Sequence, residues 1–133
     1  MRKVFYCDDD QDDLMMLRDV IRKIDPEIDF EFTDDSETVL NILHASAKLP
    51  DVIFLDINMP RVSGTELLQE LKNDPTLKSI PVFMYSTTRE SMEANRCREL
   101  GAEDLLQKLP GMEESFVQIR SALAQLQLVG MAQ

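Results

Sequence analysis

A chain of 133 residues fits one domain around a single core, and 44% hydrophobic with 29% charged residues is globular rather than disordered composition. Its 25 acids against 14 bases give a net charge of −11, which argues against holding nucleic acid through its phosphate backbone and favours basic or amphipathic protein partners. No apolar run approaches the roughly 20 residues that cross a bilayer, nothing near Met1 resembles a signal peptide, and Cys7 and Cys97 lie far apart without metal-ligand spacing, so a reducing, cytoplasmic setting is expected.

Apolar runs alternate with helical patterns from one end to the other. Val4–Cys7 reads as a buried strand; Leu14, Leu17, Ile21 and Ile24 then recur at helical spacing until the Asp25–Pro26 step. Ile28, Phe30 and Phe32 alternate with acids, the pattern of a strand with one wet face and hence of a sheet edge. Ser36 is placed to cap a helix through Val39, Leu40 and Leu43; Pro50 breaks the chain, and Val52–Leu55 is a second fully apolar strand. Beyond the loop Asn58–Gly64, Leu67, Leu68 and Leu71 mark a helix that ends near Asp74–Pro75. Ile80–Tyr85 is a third apolar strand. Arg89–Leu100 predicts a polar helix with Met92, Cys97 and Leu100 facing inward and Gly101 at its C-terminus. A short strand, Asp104–Leu106, leads to the turn at Pro110–Gly111, and Met112, Phe116, Ile119, Leu123 and Leu126 form the last helical stripe, fraying near Gly130.

Five strands alternating with five helices predict an α/β protein: a three-layer α/β/α sandwich with right-handed crossovers around a five-stranded parallel sheet. Three continuously apolar strands between two weaker ones imply three central positions and two edges, as in the flavodoxin-like order 2-1-3-4-5. Residues 1–133 are read as one domain with a short tail from about residue 127, and without repeats or linkers.

The apolar runs end abruptly at Cys7–Asp8, Leu55–Asp56, Tyr85–Ser86 and Gln107–Lys108. In a parallel sheet these ends share one edge, so residues far apart in sequence converge on one crevice. Asp8, Asp9, Asp10, Asp12 and Asp13 set five carboxylates in six residues, a repulsion that a divalent cation would relieve. Asp8 and Asp9 end the strand and are read as site residues, whereas Asp12 and Asp13 are read as complements to the positive N-terminus of the next helix. A calcium loop fails because Asp13 stands where the sharp turn needs Gly and a strand precedes it. Asp56, at the mouth of the most apolar strand, must bind metal, pair with a cation or become protonated. Mg²⁺, held by few protein oxygens, suits this supply of ligands, with Lys108 as a point charge and Ser86 as a hydroxyl donor to phosphate.

The segments Val4-Phe5-Tyr6-Cys7-Asp8-Asp9-Asp10, Pro50-Asp51-Val52-Ile53-Phe54-Leu55-Asp56-Ile57-Asn58-Met59-Pro60 with Ser63-Gly64, Ile80-Pro81-Val82-Phe83-Met84-Tyr85-Ser86-Thr87, and Gly101-Ala102 leading to Lys108 resemble, in order, a response-regulator receiver domain of two-component signalling. The resemblance implies that Asp56 is the phosphoacceptor and that Asp8 and Asp9 hold Mg²⁺ with Asp56 and the backbone carbonyl of Asn58. It further implies that Ser86 and Lys108 contact the phosphoryl group, which a histidine kinase or histidine phosphotransfer protein would supply. Such a chain is a reactive substrate, with water later hydrolysing the acyl phosphate, more than a turnover enzyme. Thr87 and Thr88 would control entry of that water. Thr87 is bulkier than the small residue common there, so slow dephosphorylation is expected.

Two positions depart from the family pattern. Leu109 stands where Pro usually follows the lysine; a cis Lys108–Leu109 bond would cost about 3–4 kcal/mol, so a trans bond is expected. Leu105 replaces the usual aromatic switch residue, which leaves the output less defined than the chemistry. Only Gln127–Gln133 follow the last helix, so output is expected through binding a downstream protein or a second copy of the chain, without nucleic acid or membrane. Arg89, Glu90, Glu93, Arg96 and Arg98 read as a solvated face, with a salt-sensitive docking face as the other reading. His44 reads as an ordinary helix-surface residue. A different class of reading is an adaptor that uses the fold independently of phosphorylation; a phosphatase acting on small phosphoesters is a third, disfavoured by Asn58 where such enzymes commonly carry a second acid.

Overall fold

The computed structural model describes residues 1–87 and 90–130. The chain runs β1 (Lys3–Cys7), α1 (Gln11–Ile24), β2 (Asp29–Thr33), α2 (Val39–Ala45), β3 (Val52–Asp56), α3 (Gly64–Asn73), β4 (Val82–Ser86), α4 (Ser91–Glu99), β5 (Asp104–Gln107) and α5 (Met112–Gln125). All strand pairs are parallel, and the sheet order is β2-β1-β3-β4-β5.

Alternation along each strand divides the core into two layers. Phe5, Cys7, Ile53, Leu55, Val82, Met84 and Leu105 face α2, α3 and α4, meeting Leu43, Leu67, Leu68, Leu71, Ala94 and Cys97. Val4, Tyr6, Val52, Phe54, Phe83, Tyr85 and Leu106 face α1 and α5, meeting Leu14, Leu17, Ile21, Ile119 and Leu123. Coverage on both faces is why β3 and β4 are buried at every position, while β2 at the edge leaves Phe32 exposed.

Three local expectations change. Ser36 does not cap a helix: Asp35 accepts the Glu37 N–H to cap a 3-10 turn over Ser36–Thr38. The Ser36 hydroxyl is instead buried and donates to the Pro60 carbonyl at 3.1 Å. In α4 the inward residues are Ala94 and Cys97, whereas Met92 is 85% exposed. With 100° between successive residues, Met92 lies about 200° from Ala94 and cannot share its face; Arg89 and Thr88 lie outside the described residues. At the end of α5 the chain does not simply fray. Gln127 takes a left-handed conformation, φ 60°, and the turn folds Leu128 and Val129 back onto the layer containing α1 and α5.

The loop that carries the site is fixed at both ends. Ser63 caps α3 by accepting the Glu66 N–H at 3.2 Å, and the Gly64 N–H donates to Ile57 at 2.9 Å. A Cβ at Gly64 would lie 2.1 Å from the Asp56 carbonyl oxygen and 2.8 Å from the Ile57 Cα, so only glycine lets α3 start against the end of β3. Arg61, at φ 68°, ties the same loop to Asp35 at 3.0 Å.

Candidate functional site

Register alone brings the polar residues together. Cys7 pairs with Leu55, Asp56 with Tyr85 and Ser86 with Gln107, so Asp8, Asp56, Ser86 and Lys108 all arrive at the C-terminal edge of the sheet. Asp8, Asp56 and Ser86 are 0%, 5% and 3% exposed, and Asp9 reaches solvent. One carboxylate oxygen from each of Asp8, Asp9 and Asp56 lies within 4.8 Å of the others. The spatial meeting expected of these three acids is present. Asn58, next in the loop, directs its N–H toward Asp56 Oδ1 at 3.4 Å.

Lys108 supplies the nearby positive charge. Its Nζ lies 2.8 Å from Asp8 Oδ2, 2.8 Å from Asp13 Oδ2 and 3.2 Å from Asp56 Oδ1. Burial alone would lower the lysine pKa, but hydrogen bonds to Asp13 and Asp8 and the charges of Asp8 and Asp56 hold it above the ordinary value, so the group stays an ammonium. Asp56 moves the other way for a carboxylate. Burial, then the Asp8 charge, raises its pKa from 3.8 to about 7 against the opposing pull of Lys108. Asp8 is held on both oxygens: the Asp10 N–H donates to Oδ1 at 2.9 Å, and the Tyr6 hydroxyl donates to Oδ2. Burial and that neighbouring carboxylate push the Tyr6 phenol well up, which keeps it a donor. Burial likewise pushes the Cys7 thiol up to about 12, making it a packing residue against Met59 rather than a nucleophile.

These donors fit a hard divalent cation. Of the three carboxylates the two buried ones, Asp8 and Asp56, share one ammonium, and every candidate side-chain ligand atom is oxygen, the set that Mg²⁺ prefers. Beside them a cleft of about 300 Å³, lined by Asp13, Tyr85, Thr87, Lys108 and Leu109, opens the lysine side of the site.

The residues that depart from the family pattern are well accommodated. Among the described residues no peptide bond is cis, so Lys108–Leu109 is trans as expected. The Lys108 N–H continues the strand pairing to Ser86 at 2.6 Å, and the Leu109 carbonyl accepts from Ser115 at 3.2 Å. Leu105 is fully buried in the core with Met84 and Cys97. His44 is far from the site: it pairs at 2.6 Å with Asp74, the C-cap of α3, at the opposite edge of the sheet.

Sequence reasoning missed three participants. Asp13 is more than a helix-terminus charge, since it grips Lys108 across 95 positions of sequence. Tyr6 looked like core and is core by its ring, yet its hydroxyl serves Asp8. Asp10, not Asp12 or Asp13, caps α1 by accepting both of their N–H groups. Only the last had a readable signal, an Asp immediately before a helical stripe.

The Response regulator receiver domain family model matches residues 4–120. Two-component response regulator ORR5 of Oryza sativa subsp. japonica is 37% identical over 99 residues, covering 73% of each chain. Protein RcaC of Microchaete diplosiphon is 33% identical over 108 residues, covering 80% of this chain and 16% of RcaC, so this chain matches a small part of that longer protein. Among solved structures, the phosphorylated cyanobacterial phytochrome response regulator RcpA aligns with a TM-score of 0.81 at 26% identity, covering 92% of this chain and 91% of RcpA. With the sheet order, the converging strand ends and these matches in agreement, the chain belongs to the response-regulator receiver domain family of two-component systems.

Proposed function

We propose that Asp56 accepts a phosphoryl group from a phosphohistidine on a histidine kinase or histidine phosphotransfer protein, in a Mg²⁺-dependent reaction that alters binding to a downstream protein. The observation that carries this reading is the clustering of Asp8, Asp9 and Asp56 oxygens within 4.8 Å, with the Lys108 ammonium 3.2 Å from Asp56. A carboxylate oxygen of Asp56 forms the new O–P bond while the P–N bond of the donor breaks, and the imidazole leaves with the electron pair and takes up a proton. Lys108 offsets charge on the phosphoryl oxygens and the Ser86 hydroxyl donates to one of them. Asp8, Asp9, Asp56 and the Asn58 backbone carbonyl would hold the metal, which supplies further charge neutralisation when bound. A cytoplasmic setting belongs to this proposal; no described helix is long and apolar enough to cross a membrane.

Incubation with Mg²⁺ and beryllium fluoride, an acyl-phosphate mimic, tests it. Amide NMR shifts that require Asp56 are expected, and an unchanged spectrum would instead favour the phosphorylation-independent adaptor. Thr87 is exposed and lines the cleft beside Lys108. Thr87→Ala is expected to shorten the acyl-phosphate half-life about threefold by easing water entry. A half-life equal to or longer than wild type, followed by loss of phosphoprotein with time, would refute that role.

The raised Asp56 pKa also sets a stability profile. Between 3.8 and about 7 the folded protein binds a proton at Asp56 that the unfolded chain has lost, so this group's contribution to stability declines as pH rises through that window. Without metal, urea midpoints should therefore show an Asp56-dependent decline from pH 4 to 7, absent in Asp56→Asn. At neutral pH, Mg²⁺ at a hundred times its Kd should restore about 2.7 kcal/mol. A midpoint indifferent to Mg²⁺ would contradict the metal assignment.

A further inference from the structure

An ammonium has three N–H donors, and those of Lys108 face three carboxylates. The two contacts at 2.8 Å go to Asp8 and Asp13, and the longer one, 3.2 Å, goes to Asp56. The lysine side chain is 11% exposed and that of Asp13 is 30% exposed, so this pairing is screened less than a surface ion pair. Asp13 lies in the first turn of α1, which packs on the sheet through Leu14 and Leu17, whereas Asp56 ends β3. Its pull on the ammonium therefore competes with that of Asp56 from a different, packed element.

We propose that Asp13 is a positioning residue that holds the Lys108 ammonium toward α1 and thereby restrains phosphoryl transfer to Asp56. This inference rests on the reading of Asp56 as the phosphoacceptor. A phosphoryl group on Asp56 must recruit an N–H of Lys108, and the carboxylate of Asp13 competes for that donor while adding negative charge beside an anionic phosphodonor. A merely structural role has the opposite consequence. An acid in the first turn of a helix stabilises it, so structural damage on removing that acid lowers activity.

The test uses acetyl phosphate with Mg²⁺, where the Asp56 O–P bond forms as the P–O bond to acetate breaks and acetate leaves with the electron pair. Uptake is followed by intact mass. Asp13→Asn is expected to raise the first-order rate constant at saturating donor about tenfold, Asp13→Glu to stay near wild type, and the exposed Asp12→Asn to change it less than about twofold. In a Lys108→Met background the effect of Asp13→Asn should vanish, because it acts through the lysine. A readout without metal or turnover accompanies these: in a crystal of metal-free Asp13→Asn, the Lys108 Nζ to Asp56 Oδ1 distance should contract from 3.2 Å toward about 2.8 Å. An Asp13→Asn rate equal to or below wild type overturns the inference, as does an equal gain in Asp12→Asn or persistence of the gain without Lys108. Wild type that takes up no phosphate overturns the proposed function and this inference together; uptake that ignores Asp13 overturns this inference alone.

Discussion

Asp56→Asn is expected to abolish phosphoryl uptake while leaving the protein folded and, without metal at neutral pH, more stable than wild type. Both halves follow from the same geometry. The amide keeps the shape of the carboxylate but lacks its anionic, nucleophilic oxygen. The wild-type carboxylate is buried beside Asp8, and burial with that charge raises its pKa to about 7, so its ionised form costs stability at neutral pH. Removing the charge should gain on the order of 2 kcal/mol in urea unfolding, after discounting for the contact with Lys108 and partial solvent screening. Loss of uptake accompanied by loss of stability would mean that Asp56 serves the fold, and retained uptake would place the acceptor elsewhere.

Gly64→Ala carries the largest expected effect on the fold. The added Cβ would stand 2.1 Å from the Asp56 carbonyl oxygen, a backbone atom that no side-chain rotation can clear. Either α3 must shift away from β3, breaking the 2.9 Å hydrogen bond from Gly64 to Ile57, or the end of β3 must move and carry Asp56 with it. A cost of about 3 kcal/mol is expected, a large share of the stability of a domain this size. Mg²⁺ affinity should fall with it, because the third carboxylate of the cluster sits on the displaced residue. Urea midpoints together with Mg²⁺ titration decide the matter; wild-type values in both would mean that the contact is relieved without consequence.

What could be read from the residues, and what could not, follows from how far apart interacting groups are in sequence. The fully apolar runs Val52–Leu55 and Ile80–Tyr85, against the alternating run at Ile28, Phe30 and Phe32, carried the distinction between central and edge strands, and the observed order β2-β1-β3-β4-β5 agrees. Parallel pairing then places strand ends together without knowledge of any side-chain contact, which is why Asp8, Asp56, Ser86 and Lys108 could be grouped in advance. The grip of Asp13 on Lys108 was hidden, since the local reason for an acid in the first turn of a helix was already sufficient. Ser36 misled for a similar reason. A hydroxyl before a helical stripe signals a cap, but Asp35, one residue earlier, took the cap position and left the buried Ser36 to fasten the Pro60 carbonyl. In α4 a single phase error sufficed: Met92 is large and apolar, yet the tight packing of Ala94 and Cys97 against the sheet set which side faced in.

In the proposed function the carboxylate cluster at the sheet edge makes Asp56 a phosphoacceptor. Borohydride trapping of the acyl phosphate after incubation with a phosphohistidine donor and Mg²⁺ tests this role, with the reduced residue located by peptide sequencing in a mass spectrometer. A single reduced position, Asp56, is expected, and none when the metal is chelated. Reduction at another aspartate, or none with an active donor and metal present, would contradict it.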